Sequence, residues 1–113
     1  MLLLSLCLVL AAATIGGVLT VRWRPTFGLL HGLIGAAALV ALVLTLGGPP
    51  HGVTMGVGSF GRIAAWLLAA ALLVGLGIVA LRLRARQVPT FVIGVHATIA
   101  ITGIVMLAAY TLV

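Results

Sequence analysis

Residues 26–46 read TFGLLHGLIGAAALVALVLTL, an apolar run with one His and no charged residue. About 20 such residues, rising 1.5 Å each, cross a hydrocarbon core of roughly 30 Å, so the run predicts a membrane-spanning helix. Three further stretches have the same character, at residues 2–21, 62–81 and 90–112. The expected fold class is therefore all-α, a four-helix transmembrane bundle forming one integral membrane domain over residues 1–113.

The composition points the same way. Of 113 residues 65% are hydrophobic, mean hydropathy is +1.48, and the only charged side chains are six Arg. A soluble domain carries charge on roughly a quarter of its residues, so the solvent here is lipid. With no Asp or Glu, paired acid/base catalysis, an oxygen cage for Mg²⁺ or Ca²⁺ and a carboxylate proton relay are all excluded from this chain. Three His, one Cys and the Arg set remain. Cys7 has no intrachain partner and reads as a small apolar residue.

Between the first and second spans lies a basic turn, Arg22-Trp23-Arg24-Pro25, and between the third and fourth a second one, Arg82 to Pro89. Each Pro stands where a helix can begin without losing a needed donor. The connection from Gly47 through Gly61 is rich in Gly and Pro, which argues against regular structure there. Five of the six Arg lie in the short turns, which predicts that both turns are cytoplasmic and that both termini and the central loop are outside, in a bacterial inner membrane. Trp23, Phe27 and Phe91 then mark one interface and Phe60, Trp66 and Tyr110 the other. The first stretch is expected to be a span and not a leader, since no basic segment precedes it and it stays apolar to Val21.

The two halves resemble each other. Gly17, Arg22 and Arg24 recur as Gly77, Arg82 and Arg84 at an offset of 60, and Pro25-Thr26-Phe27 recurs as Pro89-Thr90-Phe91 at an offset of 64. Residues 85–88 supply the four-residue insertion, and His31 is answered by His96. Two spans per half give both halves one orientation, so a parallel repeat of two-helix units is expected, related by a pseudo-twofold axis along the membrane normal. His31 and His96 then lie at one depth, about 7–9 Å inside the cytoplasmic edge. If the second and fourth helices adjoin, the two imidazoles can face each other.

An imidazole in hydrocarbon needs a partner. A hydrogen bond to Thr98, Thr102 or a backbone carbonyl would satisfy a single His. A pair at equal depth is the arrangement that holds haem iron axially, or a chlorin magnesium, and His31 and His96 are the metal-ligand candidates. Zinc would want four ligands. Gly28 and Gly35, on the face of His31, and Gly103, on that of His96, would leave room for a flat ring, although close helix packing uses glycine in the same way. Arg22, Arg24, Arg82, Arg84 and Arg86 could neutralise propionates at the cytoplasmic side, and ordinary topology signals would place them there too.

On these residues the plan is similar to that of four-helix transmembrane b-type cytochromes, in which facing helices donate paired His to haem. The resemblance covers the two His-bearing spans and their turns, and it implies haem b as cofactor. It departs from the two-haem plan because one His pair is present. It would hold one haem near the cytoplasmic side, exchanging electrons with a quinol or a partner subunit.

The leading functional expectation is thus a small haem-binding electron-transfer subunit, one part of an enzyme complex with no catalytic constellation of its own. The alternative is a cofactor-free accessory subunit packed against a larger membrane complex. Expected partners are membrane lipids and subunits with acidic surfaces, not nucleic acid. Small multidrug transporters resemble the chain only in size, since they couple through a membrane Glu. Small fluoride channels need a pore Asn that it lacks. His51 and Met55 could share a metal, but the loop that carries them is expected mainly to offer a contact surface to another subunit.

Overall fold

In a computed structural model describing residues 1–113, four long helices account for nearly all regular structure: α1 (Leu2–Val21), α2 (Pro25–Leu46), α3 (Phe60–Leu83) and α4 (Thr90–Leu112). All four are long and apolar enough to cross a membrane. The apolar residues run all round each helix, so their outward faces expose large side chains such as Leu29, Leu44, Leu73, Leu76 and Val105. Helices hydrophobic on every side are what a lipid solvent requires.

The turns are built by their prolines and by one left-handed residue. Pro25 opens α2 as its first helical residue, after Arg22 and Arg24 have taken extended backbone on either side of Trp23. At the other turn α3 runs two residues beyond the expected 81, so Arg82 belongs to its last turn. The helix closes as the Arg86 amide donates to the Leu81 carbonyl at 2.9 Å and the Ala85 amide to that of Arg82 at 3.1 Å, with Ala85 at φ 52°. That pairing is a Schellman closure made without its usual glycine, and it occupies the first residue of the insertion.

The central connection is more ordered than its composition suggested. A single 3₁₀ turn, Val53–Met55, sits between Gly52 and Gly56, both left-handed at φ 69° and 77°. The loop folds back on its own chain: Val57 is buried, Gly52 lies near Val113, and the His51 amide donates to the Tyr110 hydroxyl at 3.0 Å. Tyr110, expected to mark the outer interface, is a buried anchor for the loop at 3% exposure. Trp66 and Phe91 do face outward, at 77% and 74%.

Helix α1 packs most closely on α2, and α3 on α4, each pair being a helical hairpin. The hairpins meet through α2 against α3 and, less extensively, α1 against α4. No backbone contact joins α2 to α4. The two His-bearing helices thus stand across the diagonal of the bundle and do not adjoin as neighbours, which leaves a gap that only their side chains reach. Small residues let the hairpins close up: Ser5, Ala12, Ala38, Ala64, Ala71 and Gly103 are all buried. Close approach of this kind, not hydrophobic burial, drives association where the solvent is itself apolar. Ser5 Oγ adds a hydrogen bond to the Ala38 carbonyl at 2.8 Å, and Leu42 and Leu107 fill the centre with no exposed surface.

Candidate functional site

His31 and His96 come from opposite corners of the bundle and meet in its middle. Their ring centres are 6.0 Å apart and their planes cross at 72°. Each ring is tied to the other helix of its own hairpin. His31 Nδ1 donates to the Ala12 carbonyl of α1 at 2.7 Å, and His96 Nδ1 donates to the Ala71 carbonyl of α3 at 2.9 Å. These carbonyls can only accept, so both Nδ1 atoms carry the proton. In the neutral ring Nε2 is then left with its lone pair free, the tautomer a metal-ligating imidazole needs.

Neither Thr98 nor Thr102 serves the histidines. Both hydroxyls bond back to carbonyls on α4, those of Gly94 and Thr98. The seats are instead formed by two glycines that the sequence did not single out. A Cβ on Gly16 would stand 2.9 Å from His31 Cε1, and one on Gly75 would stand 3.2 Å from His96 Cε1. Ala12 and Ala71 are 59 residues apart, as are Gly16 and Gly75, so the carbonyl and glycine seats share one spacing. It differs by one residue from the offset of 60 read from the arginines. Leu42 and Leu107, both fully enclosed, share the 65-residue separation of His31 and His96.

A cavity of about 110 Å³ adjoins the two rings, with Ala12, Gly28, Gly32, Gly35 and Gly75 among its walls. Gly28 and Gly35 thus stand where space was expected, but the Trp23 indole covers the Cβ direction of Gly28, while that of Gly35 is open. Gly103 does not open onto this cavity. It receives Leu67 and Leu68 at 3.1–3.2 Å and serves packing between α3 and α4. A separate pocket of about 310 Å³ lies at the hairpin end, bounded by Trp23, Pro25, Leu29, Arg82 and Leu83, and it shares Gly28 and Val79 with the walls of the histidine cavity.

The arginines are not equivalent. Arg22, Arg24, Arg84 and Arg86 are exposed, and Arg24 lies over Phe27 at 5.7 Å. Arg82 turns inward, with its guanidinium carbon 4.8 Å over the Trp23 ring. No cluster of three or more metal-ligating side chains exists anywhere in the chain. His51 stacks edge-on against Tyr110, 5.7 Å between ring centres, while Met55 points away and is 68% exposed.

Two imidazoles gripping one metal ion from opposite sides, with bonds of about 2 Å, hold their ring centres roughly 6 Å apart. The rings stand at about that spacing but meet edge-on at 72°, and the two fixed tautomers leave a lone pair on each Nε2. Compared with known protein families, characterised proteins and solved structures, the chain finds no match.

Proposed function

We propose that the chain is an integral membrane protein built from two parallel two-helix repeats, and that it is a small electron-transfer subunit holding one haem b between His31 and His96 near the cytoplasmic side of a bacterial inner membrane. The observation that carries the reading is the pair of rings 6.0 Å apart, each with Nδ1 committed to a carbonyl and Nε2 left unprotonated. Each Nε2 keeps a lone pair that a Lewis acid could take. Two protein ligands do not complete a zinc or other closed site. A planar group that brings four nitrogens of its own would complete the shell and supply one-electron chemistry, and to admit it the two hairpins would have to part, because the cavity beside the rings is only about 110 Å³.

The chain's own part is to orient and insulate. Ala12 and Ala71 set the tautomers, Gly16 and Gly75 seat the rings, and Gly32 and Gly35 withhold side chains from the space beside them. The common spacing of these seats supports the two-unit repeat. The Arg-rich turns support the inside placement of that end.

A second reading, the cofactor-free accessory subunit, draws on the same hydrogen bonds, since a His tied to a carbonyl across a hairpin is also a packing bond. Absorption spectra of the purified protein, oxidised and reduced, separate the two. A b-type spectrum that survives purification or haemin reconstitution, and that H31A or H96A abolishes in folded protein, is the expected result. A wild type that remains colourless after reconstitution overturns it in favour of the packing role.

A further inference from the structure

Arg82 poses a problem that the histidine pair does not solve. Its Nε is shut off from solvent and has no hydrogen-bond partner. Arg82 as a whole is half-buried, so it is this one N–H that goes unmet, and a chain without Asp or Glu offers no side chain to meet it. The Trp23 ring under the guanidinium attracts its charge but leaves the N–H donor unsatisfied. The pocket beside Arg82 is otherwise apolar, walled by Pro25, Leu29, Val79 and Leu83, and shares Gly28 and Val79 with the histidine cavity.

We infer that this pocket binds an anionic oxygen group, a carboxylate or a phosphate, carried on an apolar body. Arg82 is its counter-ion and Trp23 its floor. The charge complement is one-sided, since a single cation lies beside an open apolar surface that includes the exposed Leu29 and Leu83, and an anion with a greasy remainder satisfies both. The four other arginines of the turns are exposed and already solvated, so Arg82 alone is assigned this task. From Gly75, beside the His96 ring, to Arg82 the path along α3 is about 10 Å at 1.5 Å per residue, within reach of an acidic substituent on a planar guest held by the rings. A phospholipid with its phosphate at Arg82 and a chain along Leu29 and Val79 presents the same chemistry. The inference stands with or without the haem reading, which bears only on the source of the anion.

The test uses the full chain in neutral detergent with Trp66→Phe as background, so that Trp23 is the only indole. Trp66 is 77% exposed and lies outside the pocket. Two pairs of probes are titrated by Trp23 emission and, for the haems, by absorbance: haemin against its dimethyl ester, and phosphatidylglycerol against phosphatidylcholine. In at least one pair the anionic member is expected to bind about tenfold or more tightly than its neutral counterpart. R82Q should erase that preference, R82K restore part of it, and R24Q leave it within twofold. A preference confined to haemin identifies the guest's carboxylate as the source, and one confined to phosphatidylglycerol identifies the lipid phosphate. Equal binding of anionic and neutral members in both pairs by the unaltered Arg82 protein overturns the inference without relying on any variant to fold. A colourless protein that keeps an Arg82-dependent preference for phosphatidylglycerol ends the haem reading and leaves this one standing.

Discussion

At the scale of single residues, the ring seats make the sharpest demand. Gly16 leaves so little room that an added methyl would meet His31 Cε1 at 2.9 Å, whereas Gly17 and Gly77 have nothing within 4 Å. Gly16→Ala should therefore tilt the ring off the Ala12 carbonyl and weaken cofactor affinity by about 10–100-fold, as loss of an orienting partner does at metal sites. Gly75→Ala, with 3.2 Å available, should act in the same direction and more weakly. Gly17→Ala and Gly77→Ala should leave affinity unchanged, and haemin titration of the four variants checks the order. Thermal melting is the wrong readout here, because Gly→Ala raises helix propensity by up to about 1 kcal/mol at every one of these positions. Ser5→Ala removes the buried bond to the Ala38 carbonyl, which keeps the bond from its own helix. A loss of about 0.5–1.5 kcal/mol is expected in denaturant unfolding in detergent.

The two histidines were legible in the sequence because an imidazole in an apolar run stands out, while their partners were not. A carbonyl belongs to every residue, so nothing in the letters marks Ala12 or Ala71 as acceptors. Gly16 lies beside Gly17, and choosing between them needs the rotation of α1 about its axis. The same reasoning separates Arg82 from its neighbours: five arginines look alike until the helix end and the Trp23 ring decide which one turns inward.

At the scale of elements, the sequence located the helices well because hydropathy and proline mark their ends without tertiary information. Spans 2–21 and 90–112 match α1 and α4, while α3 outruns its expected limits by two residues at each end. That extension brings Arg82 into a helix and leaves the closure to Ala85. A non-glycine residue in the left-handed region is disfavoured by roughly 1–2 kcal/mol. Ala85→Gly should therefore stabilise the α3–α4 turn by up to about 1 kcal/mol after the greater freedom of glycine in the unfolded chain is counted against it. A rise of a few degrees in the melting temperature is the expected outcome. The diagonal placement of α2 and α4 was not legible, since which helices neighbour one another depends on how small residues such as Ala64, Ala71 and Gly103 let the hairpins nest. Periodicity cannot report that in helices that are apolar on every side.

At the scale of the whole molecule, the arginines predict an orientation with both basic turns inside. In a Cys7→Ser background, a cysteine at His51 should react with a membrane-impermeant thiol reagent on intact cells, and one at Gln87 only after lysis. The reverse pattern would place the basic turns outside. On the proposed haem reading, binding should also stabilise the fold as a unit, because a guest between the rings would touch both hairpins. At a hundredfold excess over its dissociation constant it contributes about 2.7 kcal/mol, visible as a melting temperature that climbs with added haemin.

The seam between α1–α2 and α3–α4 carries one consequence beyond stability. Each hairpin completes its own ring-to-carbonyl tie, His31 with Ala12 or His96 with Ala71, and borrows nothing from the other to do so. Severing the chain within the Gly- and Pro-rich connector and making the two polypeptides separately should yield complementary halves, each mute by itself. Pigment would act as the rivet between them, and colour would report their reunion.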